Sequence, residues 1–192
     1  GMLGTKRRGF GNIIGHVKGV ENMGSLSEWT AKQFDPRLNW GDVEWITKRW
    51  GGKLILKGIQ DVEDAKLAAD SGADALIVSN HGGRQLDGAE SSIRALPAIA
   101  DAVGSRIEVH MDGGIRSGQD VLKAWTLGAR GTYIGRAMVW GLGAGGEAGV
   151  TKALEIIHRE LDLTMAFCGR TKIGDVDRSI LLTPDDPWGV RA

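Results

Sequence analysis

The residues best suited to chemistry stand together in Ser79-Asn80-His81-Gly82-Gly83-Arg84-Gln85-Leu86-Asp87, directly after the apolar run Ala75-Leu76-Ile77-Val78. A histidine can take or release a proton near neutral pH, and an arginine can grip a carboxylate through two parallel hydrogen bonds. The intervening glycines let backbone pass close to a ligand. From composition alone the same nonamer reads equally as a polar strand-to-helix loop with a surface histidine. Three other apolar runs end in a similar way. Leu54-Ile55-Leu56 runs into Lys57-Gly58, Ile107 to Met111 into Asp112-Gly113-Gly114-Ile115-Arg116, and Thr132-Tyr133-Ile134 into Gly135-Arg136. The last two ends are glycine-rich and each carries an arginine, a combination that suits a phosphate, because backbone N–H groups and a helix start can face the anion.

The elements that must position these residues follow from periodicity and caps. Asn39 is predicted to cap a helix through Asp42, Val43, Ile46 and Trp50 that Gly51-Gly52 ends, and Asp61 to cap one carrying Val62, Ala65 and Ala69 that stops at Gly72. Ile93, Leu96, Ile99, Ala100 and Val103 keep helical spacing, with Pro97 expected near the first turn of the regular part. Ser117 and Asp120 form a capping box for a helix through Val121, Ala124 and Trp125, with Gly128 as its stop. After the glycine-rich Gly141 to Gly149, residues Val150, Ala153, Leu154, Ile157 and Leu161 define the last long helix. The tail from Cys168, with Pro184 and Pro187, reads as a short helix and an extended end, and residues 1 to 38 as a long irregular loop with one short helix near Ser25 to Lys32.

Strand and helix therefore alternate four times, which calls for a parallel sheet with right-handed crossovers. Polar and glycine residues gather at the carboxyl ends of the strands, where (β/α)8 barrels keep their active sites and often a phosphate. The pattern predicts the second half of such a barrel, strands five to eight, with a phosphate-bearing ligand. A doubly wound sheet is the alternative, but the first strand is not followed by GxGxxG or by an acidic residue placed for a ribose.

Composition narrows the partners. Lys+Arg and Asp+Glu are both 24, so there is no basic field of the kind that draws nucleic acid. The single cysteine, Cys168, excludes an internal disulfide framework and suits a reducing compartment. It is expected as a buried small hydrophobe, and His110, inside the third strand, as a packed histidine without a role. No apolar run reaches the roughly 18 residues of a membrane span, and Lys6-Arg7-Arg8 is not followed by the apolar core of a secretory signal. Gly1 before Met2 has the look of a residue left by tag cleavage. These features predict a cytoplasmic setting.

The nonamer, with Leu56-Lys57-Gly58-Ile59, Met111-Asp112-Gly113-Gly114-Ile115-Arg116 and Ile134-Gly135-Arg136, resembles the signature set of the FMN-dependent α-hydroxy-acid oxidases and dehydrogenases, in order and in spacing, over about Phe10 to Asp177. The resemblance implies an enzyme of the L-lactate dehydrogenase-like branch, an oxidoreductase that turns a small L-2-hydroxy acid into the 2-keto acid. It implies His81 as the catalytic base and substrate contact, and Arg84 as the fork on the substrate carboxylate. Lys57 would lie against the N1/O2 edge of the flavin, and Ser79 and Asp112 on flavin or ribityl groups. Gly113, Gly114, Ile115, Arg116, Gly135 and Arg136 would form the phosphate cradle, and no metal is implied.

Departures from the family pattern qualify this. The strands that should precede residue 1 supply, in the family, two tyrosines, the aspartate that orients the histidine, a second substrate arginine and much of the ring pocket; Tyr133 matches neither tyrosine. Residues 1–38 are read as the end of the long loop between the fourth and fifth barrel strands, and residues 39–192 as the carboxyl-terminal half-barrel with its tail. In membrane-associated members part of that loop touches the membrane, so peripheral membrane contact through Lys6 to Leu26 is expected. Two further readings stay open: a non-catalytic FMN- or phosphate-binding half-barrel, and a phosphate-binding barrel enzyme without a redox role. Four parallel strands leave two unpaired edges, so a homo-oligomer is expected, for instance a two-fold pair joining the Leu54 strand of one copy to the Thr132 strand of the other.

Overall fold

The computed structural model describes residues 13, 15–20, 22–33 and 35–182. The expectations for Lys6 to Leu26 fall partly outside these residues, and the one for Pro184 and Pro187 wholly outside. The chain forms two compact units, residues 1–42 and 43–192.

In the first unit, helix α1 (Met23–Gln33) is held at its start by Asn22, whose Oδ1 accepts from the N–H groups of Gly24 and Ser25 at 2.9 and 3.0 Å. Asn39 opens helix α2 (Trp40–Trp50) as predicted: its Oδ1 accepts from Gly41 N, and Asp42 Oδ2 accepts from Asn39 N, each at 2.9 Å. The helix ends at Gly51, whose φ of 65° is a left-handed conformation that a side chain would strain.

The second unit is built on four parallel strands in sequence order: β1 (Ile55–Ile59), β2 (Ala75–Val78), β3 (Glu108–Met111) and β4 (Gly131–Thr132). Helices α3 (Val62–Asp70), α4 (Ser92–Val103) and α5 (Gly118–Thr126) connect them, and α6 (Arg136–Phe167) follows β4. Leu56 pairs with Leu76, Leu76 with Val109, Val78 with Met111 and Met111 with Thr132. Because side chains alternate along a strand, this register puts an apolar set on one face. Leu76, Val78, Val109 and Met111 are buried there, and Leu96, Ile99 and Val103 of α4 are buried as well. Each such side chain contributes about 1.5–3 kcal/mol on leaving water. The opposite face carries Ile55, Lys57, Ala75, Ile77, Glu108 and His110.

Four boundaries differ from expectation. β1 starts at Ile55 and includes Lys57 and Gly58, because Leu54 N donates to Asp74 Oδ2 at 2.9 Å while Lys53 pairs with the same carboxylate. The Lys53 hydrogen bond, with the Leu54 amide behind it, holds the Asp74 carboxyl below the usual carboxylate range. Pro97 is in the interior of α4 rather than near its first turn, since the helix begins at Ser92; the buried face of Ala95, Leu96, Ile99 and Val103 outweighs the one missing N–H donor. β4 stops at Thr132 because its only neighbour, β3, ends at Met111, although Tyr133 N still donates to Met111 O at 3.0 Å. Helix already runs through most of Gly141 to Gly149 and does not wait for Val150. Only Gly145 and Gly146 leave helical geometry, and there α6 folds back so that Gly141 meets Gly149: a Cβ on Gly141 would lie 2.5 Å from the Gly149 carbonyl oxygen. These glycines serve close helix approach.

The capping box of α5 forms as predicted. Asp120 N donates to Ser117 Oγ at 3.2 Å, and Asp120 Oδ2 accepts from the N–H groups of Ser117 and Arg116 at 3.0 Å. Beyond α6, short turns at Ile173–Asp175 and Arg178–Ile180 lay Val176 against Leu122 and Met165, with Trp125, Leu161 and half-buried Cys168 around them. α5 and α6 touch at Gly118, where any Cβ would overlap the backbone of Glu160 and Leu161, and Gly118 N donates to Glu160 Oε2 at 3.0 Å. Gly118→Ala should therefore cost about 1–3 kcal/mol in urea denaturation, the range for overpacking a close contact.

Candidate active site

The signature loop leaves β2 through Ser79, which is almost fully buried, and closes as a short turn at His81–Gly83. Asn80 organises it: its Oδ1 accepts from Gly82 N at 2.9 Å, and its N–H donates to Ser92 Oγ at 3.1 Å. Three successive residues take positive φ, His81 at 55°, Gly82 at 70° and Gly83 at 72°. Among the described residues His81 is the only non-glycine to do so, a conformation worth about 1–3 kcal/mol of strain. Its ring rests over Gly58, where a Cβ would come within 2.8 Å of His81 Cε1.

Lys57 projects from β1 on the face away from the core. Its Nζ donates to Ser79 Oγ at 2.9 Å and lies 3.0 Å from Asp112 Oδ2. The other Asp112 oxygen, Oδ1, is buried without a hydrogen-bond partner. An open cleft of about 770 Å³ lies over these groups, and Lys57, His81, Arg84, Asp112, Gly113, Gly114, Ile115, Arg116, Gly135 and Arg136 all line it. Of the residues singled out in the sequence only Ser79 does not. It sits beneath, and its oxygen accepts from Lys57 Nζ and, at 3.1 Å, from His81 N.

The cleft is cationic. Among the described residues no carboxylate pairs with the guanidinium of Arg84, Arg116 or Arg136. Gly114 (φ 87°) and Gly135 have open space where a side chain would stand, and Gly135, just before α6, gives that helix no side-chain cap. Uncapped first-turn amides beside two guanidinium groups are what an anion seeks. Tyr133, Gln85, Val139 and Trp140 also line the cleft and were not singled out. Tyr133 continues the alternation of Glu108 and His110 across β3 and β4, and Trp140 is one helical turn past Arg136, so period and register carried that signal. His110 is packed, as expected, but both of its ring nitrogens are hydrogen-bonded, one of them to Tyr133.

Four parallel strands alternating with helices, with a histidine, a lysine and three arginines gathered at the carboxyl-end mouth, define half of a (β/α)8 barrel. The family description for FMN-dependent dehydrogenases matches residues 4–183, and the chain belongs to that family. It supplies the second half of the family's barrel. An L-lactate dehydrogenase of Caulobacter vibrioides (strain NA1000 / CB15N) is 49% identical over 181 residues, which are 94% of this chain and 47% of that protein. One of Pseudomonas syringae pv. syringae is 46% identical over 182 residues, 95% of this chain and 48% of that protein. Among solved structures, a mandelate oxidase superposes with TM-score 0.76 at 44% identity, covering 81% of this chain and 45% of the other. A monotopic membrane protein, (S)-mandelate dehydrogenase, superposes with TM-score 0.78 at 35% identity, covering 85% and 43%. The chain thus spans about half the length of the relatives it matches.

The family's cofactor is FMN, and the residues present fit it. The buried, unpartnered Asp112 Oδ1 calls for a donor such as a polyol hydroxyl, and the open cradle at Gly114 and Gly135 beside Arg116 and Arg136 calls for a phosphate. Among the described residues no cluster of His, Cys, Asp or Glu could hold a metal. Gly58→Ala tests how the His81 ring is seated. It should displace the His81 ring, seen as a shift of the His81 imidazole NMR signals with those of His158 unmoved. It should also cost about 1–3 kcal/mol in thermal denaturation, since Gly58 has a φ of 99°.

Proposed function

We propose that this chain carries the base, the carboxylate fork and the phosphate cradle of an FMN-dependent dehydrogenase or oxidase that converts an L-2-hydroxy acid, of the L-lactate class, to the 2-keto acid. The observation that carries the reading is the convergence of His81, Arg84, Lys57 and the cradle on one cationic cleft. Oxidation of the hydroxy acid releases two electrons and two protons, and bound FMN would supply the two-electron acceptor. His81 takes a proton from the substrate, and Arg84 holds its carboxylate in a bidentate fork. Lys57, with Asp112 and Ser79 fixing its ammonium group, would present positive charge to a bound flavin. Arg116, Arg136 and the glycine amides would hold its phosphate. Family membership weighs against the phosphate-binding barrel without a redox role. Anaerobic mixing of the FMN-loaded intact protein, with the other half of the barrel present, with L-lactate, glycolate and mandelate should bleach the flavin absorbance with one of them; no bleaching with any overturns the reading.

One observation favours a weaker role for the 192-residue chain alone. Among the described residues no side chain hydrogen-bonds the His81 ring, and an unoriented imidazole loses tautomer control and transition-state stabilisation. Binding should then outlast turnover. Flavin reduction by the isolated chain within tenfold of the Caulobacter relative's rate would reject this second reading. Homo-oligomerisation and peripheral membrane contact belong to the same proposal. The outer edges of β1 and β4, unpaired among the described residues, support the first, and the likeness to a monotopic membrane protein supports the second. Among the described residues no helix is long and apolar enough to cross a membrane, and the single cysteine supports a cytoplasmic setting.

Arg136→Ala should weaken FMN binding, followed by flavin fluorescence, by about 1.5–3 kcal/mol, the range for a charge-assisted hydrogen bond. Unchanged affinity would place the phosphate elsewhere.

A further inference from the structure

Tyr133 and His110 have no part in the chemistry assigned above, yet together they join the cleft to the sheet. His110 pairs with Gly131 in the β3–β4 register, and its ring covers that glycine so closely that a Cβ there would meet ring carbons at 3.2 Å. Its side chain is only 13% exposed. His110 Nε2 is 3.0 Å from Glu108 Oε2, and Nδ1 is 3.0 Å from the Tyr133 hydroxyl. The two rings lie 5.8 Å apart, tilted by 41°.

This chain of contacts has one consistent proton arrangement with a neutral imidazole. An ionised carboxylate only accepts, so the Nε2 facing Glu108 carries the ring proton. Nδ1 is then bare, and the Tyr133 hydroxyl must donate to it. With its proton committed to His110, the phenol can offer the cleft it lines only an acceptor and the side of its ring. A ligand group meeting Tyr133 must therefore be a donor.

We propose that Tyr133 is a further ligand-binding residue of the cleft, accepting a hydrogen bond from a hydroxyl of the flavin's ribityl chain, with His110 and Glu108 as its positioning residues. This rests on the FMN reading of the cleft. The place of Tyr133 in the chain argues for the ribityl part. Ile134-Gly135-Arg136 follow it directly and form one wall of the phosphate cradle, so the part of the ligand next to the phosphate comes nearest to Tyr133. In FMN that part is a polyol, and every hydroxyl on it can donate.

The chain has a single tyrosine, so protein labelled with 13C-tyrosine reports Tyr133 without overlap. The full 192-residue chain would be titrated with FMN, with riboflavin and with inorganic phosphate. FMN and riboflavin should shift the tyrosine signal, and phosphate should leave it in place. Tyr133→Phe, nearly isosteric, should weaken FMN and riboflavin about 2- to 10-fold, as expected for one neutral hydrogen bond, with phosphate affinity unchanged. His110→Phe should weaken flavin in the same direction and add nothing in the double variant with Tyr133→Phe. Flavin binding that leaves the tyrosine signal unmoved, or equal flavin affinity in Tyr133→Phe, overturns this assignment and leaves the FMN reading standing. A tyrosine shift with phosphate alone equal to that with FMN also overturns it. Absence of any flavin binding by the unaltered chain overturns both.

Discussion

The structure depends on the in-phase parallel pairing of β1 to β4. Leu56, Leu76, Val78, Val109 and Met111 point to one side because each strand is aligned with the next without a one-residue slip. That apolar face is what the connecting helices cover, and its burial is the main stabilising contribution. The same alignment leaves every strand's carboxyl end at one mouth, so Lys57, His81, Asp112 and Gly135 meet although up to 78 residues separate them in the chain. A slip of one residue in any strand would expose the apolar set and turn the polar ends inward.

The mouth is polar, and the polarity is arranged. Lys57 is the one cleft cation with a carboxylate partner, and the pair still leaves one Asp112 oxygen buried and unmatched. The three cleft arginines have no carboxylate partner among the described residues. A fully paired charge set would rigidify the mouth without attracting anything; an under-paired one attracts anions and keeps an acceptor for a donor. Strain is concentrated in the same place. His81 holds a left-handed backbone conformation that the Asn80 and Ser79 hydrogen bonds enforce, and the missing side chain of Gly58 makes room for its ring. Backbone strain over-determined by its surroundings is a recurrent property of sites that must present one side chain to a ligand.

Much of this was legible in the sequence because it is local. β2, the caps at Asp61 and Asn39 and the Ser117–Asp120 box follow from side chains within a few residues of the backbone they satisfy. The cleft residues were legible as well, since glycine, arginine and histidine at the ends of apolar runs betray a site wherever the chain later places it. Tertiary structure decided what depends on contacts distant in sequence. The beginning of β1 is shifted because Asp74, twenty residues on, takes the Leu54 amide. Gly141 and Gly149 lie on two arms of α6 that approach backbone to backbone across a kink at Gly145 and Gly146, which composition cannot tell from a loop. Tyr133 became a cleft residue only when the β3–β4 register set His110 over Gly131 and within reach of its hydroxyl, for a hydrogen bond between strands exists only after the strands have been paired.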